Sequence, residues 1–152
     1  MEDLSLHILD VVENSLRSEA KLVEISLTED LERDLLILQI KDDGKGMDPE
    51  TLQRATNPFF TSKVDKKVGL GLALLAQAAR EAGGKLETSS APGLGTTVRA
   101  VFQHSHPDRK PLGDMAATVQ ALVAGSPEVD FVYERRNGTE VVRFDTREIR
   151  SS

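Results

Sequence analysis

Asp10 and Asn14 stand four residues apart in DVVENSLR, with Arg17 three further on, so on a helix the three share one face. An Asn carbonyl oxygen is a hard, neutral ligand suited to Mg²⁺, which prefers oxygen and keeps several waters beside phosphate. Arg17 offers a guanidinium fork for a phosphate, and Asp10 a carboxylate that can hold or deprotonate a water. A second group, Asp42-Asp43-Gly44-Lys45-Gly46-Met47, follows an apolar run. A carboxylate at a strand's end can accept a hydrogen bond from an exocyclic amine, while Gly44 and Gly46 let backbone approach a flat ring. A third group, Gly69-Leu70-Gly71-Leu72, opens an Ala-rich stretch, and backbone amides at a helix mouth attract anions. The fourth, Gly95-Thr96-Thr97, places hydroxyls before a strand, where they can bind a base or satisfy a turn. Each group also has a plain structural reading: a solvated helix face, a Gly-rich turn, a helix start, a strand start. No GxxxxGK[ST] is present, and the Gly69–Leu72 segment does not follow directly on a strand, so neither a P-loop nor a Rossmann fingerprint fits.

The elements that must carry these groups follow from periodicity. Leu4, Ile8, Val11, Val12 and Leu16 recur at helical spacing through residues 3–20, with Asp3 or Ser5 as the cap. KLVEISLTED alternates, with Val23, Ile25 and Leu27 on one side, and LLILQIKD reads as a central strand paired with it in a hairpin. Pro49 suits the first turn of a short helix through Ala55. NPFFTSKVDKK reads as a loop. GLGLALLAQAAREAGG is a second strong helix closed by Gly83 and Gly84, and KLETSS and GTTVRAVF are strands joined by the turn APGLG. After Phe102 the polar HSHPDRKP reads as a linker. A third helix carries Met115, Val119, Leu122 and Val123 on one face, and Asn137-Gly138 marks a hairpin between FVYERR and TEVVRFD.

The chain has 152 residues with 19 Lys and Arg against 25 Asp and Glu, a net charge of −6. That balance speaks against non-specific nucleic-acid binding. Cysteine is absent, which excludes disulfides and thiolate metal sites and suits a reducing cytoplasm. No apolar run approaches the roughly 20 residues of a membrane span, and the acidic start is unlike a secretory signal.

Taken in order, DVVENSLRSEA, DDGKGM, NPFFTSK, GLGLAL and GTTV resemble the ATP-binding domain shared by DNA gyrase, the Hsp90 chaperones, sensor histidine kinases and MutL. Within that GHKL superfamily the likeness is greatest to the histidine-kinase branch, and it covers residues 3–103. The fold it implies is the Bergerat fold, an α/β (α+β) two-layer sandwich with a mixed sheet covered by helices on one face. A C-terminal helix and β-hairpin would be added, giving residues 1–103 as the ATP-binding domain and 104–152 as an appendage. The cofactors implied are ATP and Mg²⁺. By resemblance, Asn14 coordinates the Mg²⁺ and Arg17 contacts phosphate. Asp42 recognises the adenine amino group, with Gly44, Gly46 and Met47 shaping the pocket. Phe59 and Phe60 anchor the nucleotide lid, and Lys63 lies in it. The segment Gly69, Leu70, Gly71 and Leu72 passes close to the phosphates, and Thr96 sits near adenine.

The chain departs from the pattern in informative places. The ATP-hydrolysing branches carry Glu where this chain has Asp10, one methylene shorter, so a water held for Glu falls short of it. The length leaves no room for a dimerisation helix pair bearing a phospho-acceptor His. His7 reads as a packed or solvated side chain, and His104 and His106 as part of the linker rather than a metal site. The family's strand before the first helix is also missing, so the C-terminal hairpin is expected either to pair with the exposed sheet edge or to form a dimer contact by strand addition. Two activities remain open: a regulatory ATP-binding module acting as a protein kinase in trans, as anti-sigma-factor kinases do, and a non-catalytic nucleotide sensor. Either calls for an unidentified partner protein or phospho-acceptor, with no nucleic acid or membrane involved. A homodimer is the default assembly.

Overall fold

The computed structural model describes residues 3–56 and 71–150. In chain order these form α1 (Leu4–Arg17), β1 (Leu22–Asp30), β2 (Leu35–Asp42), α2 (Pro49–Thr56), α3 (Gly71–Glu81), β3 (Lys85–Ala91) and β4 (Gly95–Gln103), then α4 (Met115–Gly125), β5 (Asp130–Asn137), β6 (Glu140–Asp145) and α5 (Thr146–Arg150). The strands make one mixed sheet in the order β3-β4-β2-β1-β5-β6, antiparallel throughout except where β5 lies parallel to β1. Sheet and helices form a two-layer α/β sandwich, as the resemblance implies.

Alternation sorts the side chains of each strand between the two faces. Val23, Ile25 and Leu27 of β1, Leu36, Leu38 and Ile40 of β2, and Val98, Ala100 and Phe102 of β4 all point to the helix side and are buried. The opposite face carries Glu24, Ser26, Gln39, Lys41 and Arg99, which remain in contact with solvent. Helices therefore cover one face only. α1 contributes Leu4, Ile8, Val11 and Val12 to the core, α3 contributes Leu72, Leu75, Ala78 and Ala79, and α4 contributes Met115, Val119 and Leu122. The small Ala side chains of α3 let that helix sit close to β3, β4 and α1.

The segment after β4 is tied down at both ends. Asp34, in the β1–β2 turn, accepts hydrogen bonds from the Ser105 amide (3.0 Å) and hydroxyl (2.6 Å). The carbonyls of Pro111 and Leu112 accept the amides of Leu4 and Ser5, so this segment satisfies two of the amides left open at the start of α1. Among the described residues no cluster of three metal-ligating side chains occurs, His104 and His106 included. No helix of the described residues is long and apolar enough to cross a membrane. The hairpin β5–β6 extends the sheet rather than leaving the β1 edge open, with Phe131 and Tyr133 buried on the helix side.

Deleting residues 108–152 therefore strips the β1 edge of its partner and uncovers Val23 and Ile25. The truncated protein should aggregate or lose its cooperative melt; a soluble monomer by size-exclusion chromatography with an unchanged melt would refute the structural role given to β5.

α5 is absent from the sequence-derived elements, and Asp145 explains how so short a helix is held. Its side chain, only 4% exposed, accepts the Arg147 amide (2.9 Å) and guanidinium Nη2 (2.9 Å) as well as Arg143 Nη2 (3.4 Å). The Arg147 hydrogen bonds hold the Asp145 carboxyl at about 2, below its ordinary 3.8. A depressed carboxyl stabilises the fold above its unfolded value and loses that contribution as pH falls from 3.8 through about 2. Thermal melts across that window should show a steeper acid loss in the parent than in Asp145→Asn; parallel curves would remove Asp145 from the acid response.

Candidate functional site

Strand register assembles the site. Val23 of β1 pairs with Asp42 of β2, Asp42 with Thr96 of β4, and Thr96 with Ser90 of β3, so four side chains form one row on the helix face. The neighbouring rows are apolar: Ile25, Ile40 and Val98, then Leu27, Leu38 and Ala100. Where the strands end, the lining of the helix face changes from hydrocarbon to oxygen.

Above this row lies a cleft of about 600 Å³, including its open mouth, lined by Val11, Asn14, Ser15, Arg17 and Ser18 of the α1 segment, Ile40, Asp42 and Met47 from β2 and the loop after it, Leu72 of α3, and Thr96 and Val98 of β4. The walls are apolar and the polar groups converge from separate segments, the usual make-up of a small-molecule site. Asn14, Arg17, Asp42, Met47, Leu72 and Thr96, singled out from the sequence, thus meet in one place.

Asp42 is buried, and each of its oxygens is engaged: Oδ2 accepts the Ser15 hydroxyl at 2.6 Å and Oδ1 the Gly44 amide at 2.9 Å. A carboxylate oxygen has room for a second donor, so both bonds leave accepting capacity toward the cleft. Gly46 has φ +73°, and a Cβ there would overlap the Ala91 carbonyl. Gly95 has φ +88°, and a Cβ there would overlap the Asp42 carbonyl. At these two positions only glycine lets the loop after β2 close against the β3–β4 turn. Gly44 packs against Ser18, where a Cβ would come within 2.8 Å of that side chain.

On the α1 side, the Asn14 Oδ1 accepts a long 3.4 Å bond from Arg17 Nη1, while the Asn14 Nδ2 is buried with no hydrogen-bond partner among the described residues. Arg17 Nη2 also lies 3.7 Å from the Glu13 carboxylate, with both side chains more than half exposed. Asp10 is exposed and abuts the start of α3: a Cβ on Gly71 would lie 3.0 Å from the Asp10 Cβ. Asp10 and the first turn of α3 are thus neighbours, across a contact that only a small residue at position 71 allows. Phe59, Phe60, Lys63, Gly69 and Leu70 lie outside the described residues.

Sequence reading missed two members of the site. Ser15 holds Asp42, and Ser90 stands behind Thr96 at 2.7 Å. Strand alternation offers a signal for the second, because the β3–β4 turn pairs Ser90 with Thr96 on one face.

Comparison with known proteins shows the family. The family described as histidine kinase-, DNA gyrase B-, and HSP90-like ATPase matches residues 2–106. A putative sensor protein of Shewanella frigidimarina is 40% identical over 75 residues, which cover 49% of this chain and 12% of the relative. Sensor histidine kinase ZraS of Klebsiella oxytoca is 41% identical over 58 residues, 38% of this chain and 12% of the relative. Sensor histidine kinase YxdK of Bacillus subtilis is 29% identical over 104 residues, 65% of this chain and 32% of the relative. The chain thus aligns with only 12–32% of the length of these three relatives. Among solved structures, the N-terminal domain of a DNA repair protein shares the fold with a TM-score of 0.66 at 16% identity, covering 94% of this chain and 52% of that one. That likeness extends well past residue 106. With that family model matched over residues 2–106, more than half of its length, the chain belongs to the histidine kinase-, DNA gyrase B- and HSP90-like ATPase family.

Proposed function

We propose that this protein binds Mg-ATP in the cleft between α1, α3 and the β2–β4 row, and uses it to phosphorylate another protein in trans. The observation that carries the reading is the convergence of Asn14, Arg17, Asp42, Met47, Leu72 and Thr96, from separate segments, on one cleft with apolar walls and a buried carboxylate. The walls suit a flat base, and Asp42 suits its exocyclic amine. Arg17, exposed at the mouth, suits a phosphate.

The residues present also fit a phosphate-borne Mg²⁺. The Asn14 side chain lines the cleft with its amide nitrogen unpartnered and its oxygen held only at 3.4 Å, so the amide is free to turn its oxygen to a cation. When bound, Mg²⁺ supplies charge neutralisation for the transferring phosphoryl group. Asn14 would hold it, Arg17 would steady the phosphates, and the start of α3 would present backbone amides to them. Kinase relatives such as ZraS and YxdK support phosphoryl transfer as the reaction class. The acidic, cysteine-free composition supports a cytoplasmic setting.

A second reading is favoured by Asp10. Its carboxyl stands one methylene short of the Glu that the hydrolysing branches use, which removes the reach of a general base and slows hydrolysis of a bound nucleotide. Such a module would act as a nucleotide sensor whose partner surface changes with ATP.

Calorimetry should give micromolar to millimolar Mg-ATP affinity, roughly −4 to −8 kcal/mol. Asn14→Ala should abolish the Mg²⁺ dependence, and Asp42→Asn should weaken ATP more than it weakens inorganic phosphate. Parent-like ATP binding by both variants would overturn the site. Incubation with γ-labelled ATP separates the two activities: label on a lysate protein supports the trans kinase, whereas ATP binding without released phosphate or any label supports the sensor.

A further inference from the structure

β6 is the outer strand of the sheet, with no strand beyond it among the described residues. It lies past residues 2–106, the part of the chain that the family model matches. The two ends of the sheet differ in kind. At the far end, the exposed positions of β3 are Lys85, Glu87 and Ser89, polar side chains of the sort that keep an edge strand from pairing. On β6, Val141 is 47% and Val142 64% exposed. The two are consecutive, so one stands on each face of the sheet, and apolar surface flanks the edge backbone on both sides. The chain after β6 turns inward: α5 packs on β5, where the Thr146 hydroxyl accepts the Phe131 amide at 2.9 Å and donates to Asp130 at 3.0 Å.

An edge of this kind takes up a further strand through its backbone amides and carbonyls. A second β6 meets both demands, since it brings the same backbone edge and the same pair of valines, and charge decides its register. In a two-fold antiparallel pair that keeps both helix layers on one side, one residue faces its own copy at the axis. Glu140, Arg143 or Asp145 in that place would set like charges directly opposite, which is destabilising. Phe144 at the axis would pair residues 143–145 alone, and Val141 would pair 140–142 and bring the turn residue Gly138 against Phe144. Val142 at the axis pairs residues 140–144, with Val141 opposite Arg143 and Glu140 opposite Phe144, and no like charges meet face to face. Arg143 keeps its charge matched within its own protomer, by Asp145 at 3.4 Å and Glu134 at 4.0 Å.

We propose that β6 is a homodimer interface, in which two copies pair antiparallel about Val142 and the sheet runs on through both protomers. Sedimentation of the full chain over a range of concentrations tests it. The parent should pass from monomer to dimer as its concentration rises, and a monomer at every concentration would overturn the interface. Val142→Lys should raise the dissociation constant about a hundredfold, because the axis counts the substitution twice and opposes two charges. Its melt should match the parent's at concentrations where both are monomers, and an undiminished dimer would overturn the proposal. The register has its own readout, since the chain contains no cysteine. Cα atoms of facing residues lie about 4.5–5.5 Å apart, within the roughly 4.4–6.8 Å that a disulfide spans. Val142→Cys should therefore cross-link to a covalent dimer under mild oxidation. Val141→Cys, diagonal to its own copy at about 7–8 Å, and Leu31→Cys, 62% exposed in the β1–β2 turn, should not. Equal cross-linking by all three would indicate random collision and overturn the interface, as would none from Val142→Cys.

Discussion

A charge placed at the end of an apolar sheet face constrains everything around it. Asp42 continues the alternation of Leu36, Leu38 and Ile40 and so is driven to the helix side, where an ionised carboxylate costs several kcal/mol unless it is hydrogen-bonded. Ser15 and the Gly44 amide meet that demand. The first bond ties the C-terminal half of α1, whose apolar face Leu4, Ile8, Val11 and Val12 already turns to the core, to the end of β2 beside Asn14. The second folds the loop after β2 back on its own strand, and the positive φ of Gly46 carries it on toward the β3–β4 turn. The cleft is what remains between these commitments.

Its position is also stabilised from the far side of α1. The helix begins under the carbonyls of Pro111 and Leu112 and ends beside the cleft, so its two ends answer to different parts of the chain. α4 packs on α1, and β5 lies along β1 for eight register pairs. The C-terminal third of the chain thus belongs to the sheet and core that orient Asn14 and Arg17.

Much of the architecture was legible because burial enforces period. Helices α1, α3 and α4 follow from residues recurring every three or four positions, and β1 and β2 from strict alternation. The hairpin at Asn137-Gly138 follows from the positive φ that its turn requires, observed as +63° at Gly138. α5 was illegible because its five residues carry no period, and it depends on Asp145 gripping Arg147. Asp34 lies in the charged turn between β1 and β2, yet it holds the segment after β4 through partners some seventy residues away, beyond any local pattern.

The site divides along the same line. Residue type and local spacing singled out Asn14, Asp42, the glycines and Thr96 as candidates, because ligand chemistry restricts which side chains can serve and a turn with positive φ restricts which can bend; their roles came from the resemblance. Cross-strand register decided the rest, since a residue's neighbour in a sheet is set by pairing between strands rather than by order along the chain. Only the folded chain brings the Ser15 hydroxyl to Asp42, stands Ser90 behind Thr96, and lays β5 parallel to β1. Each of these depends on distances between segments that no short window of sequence contains.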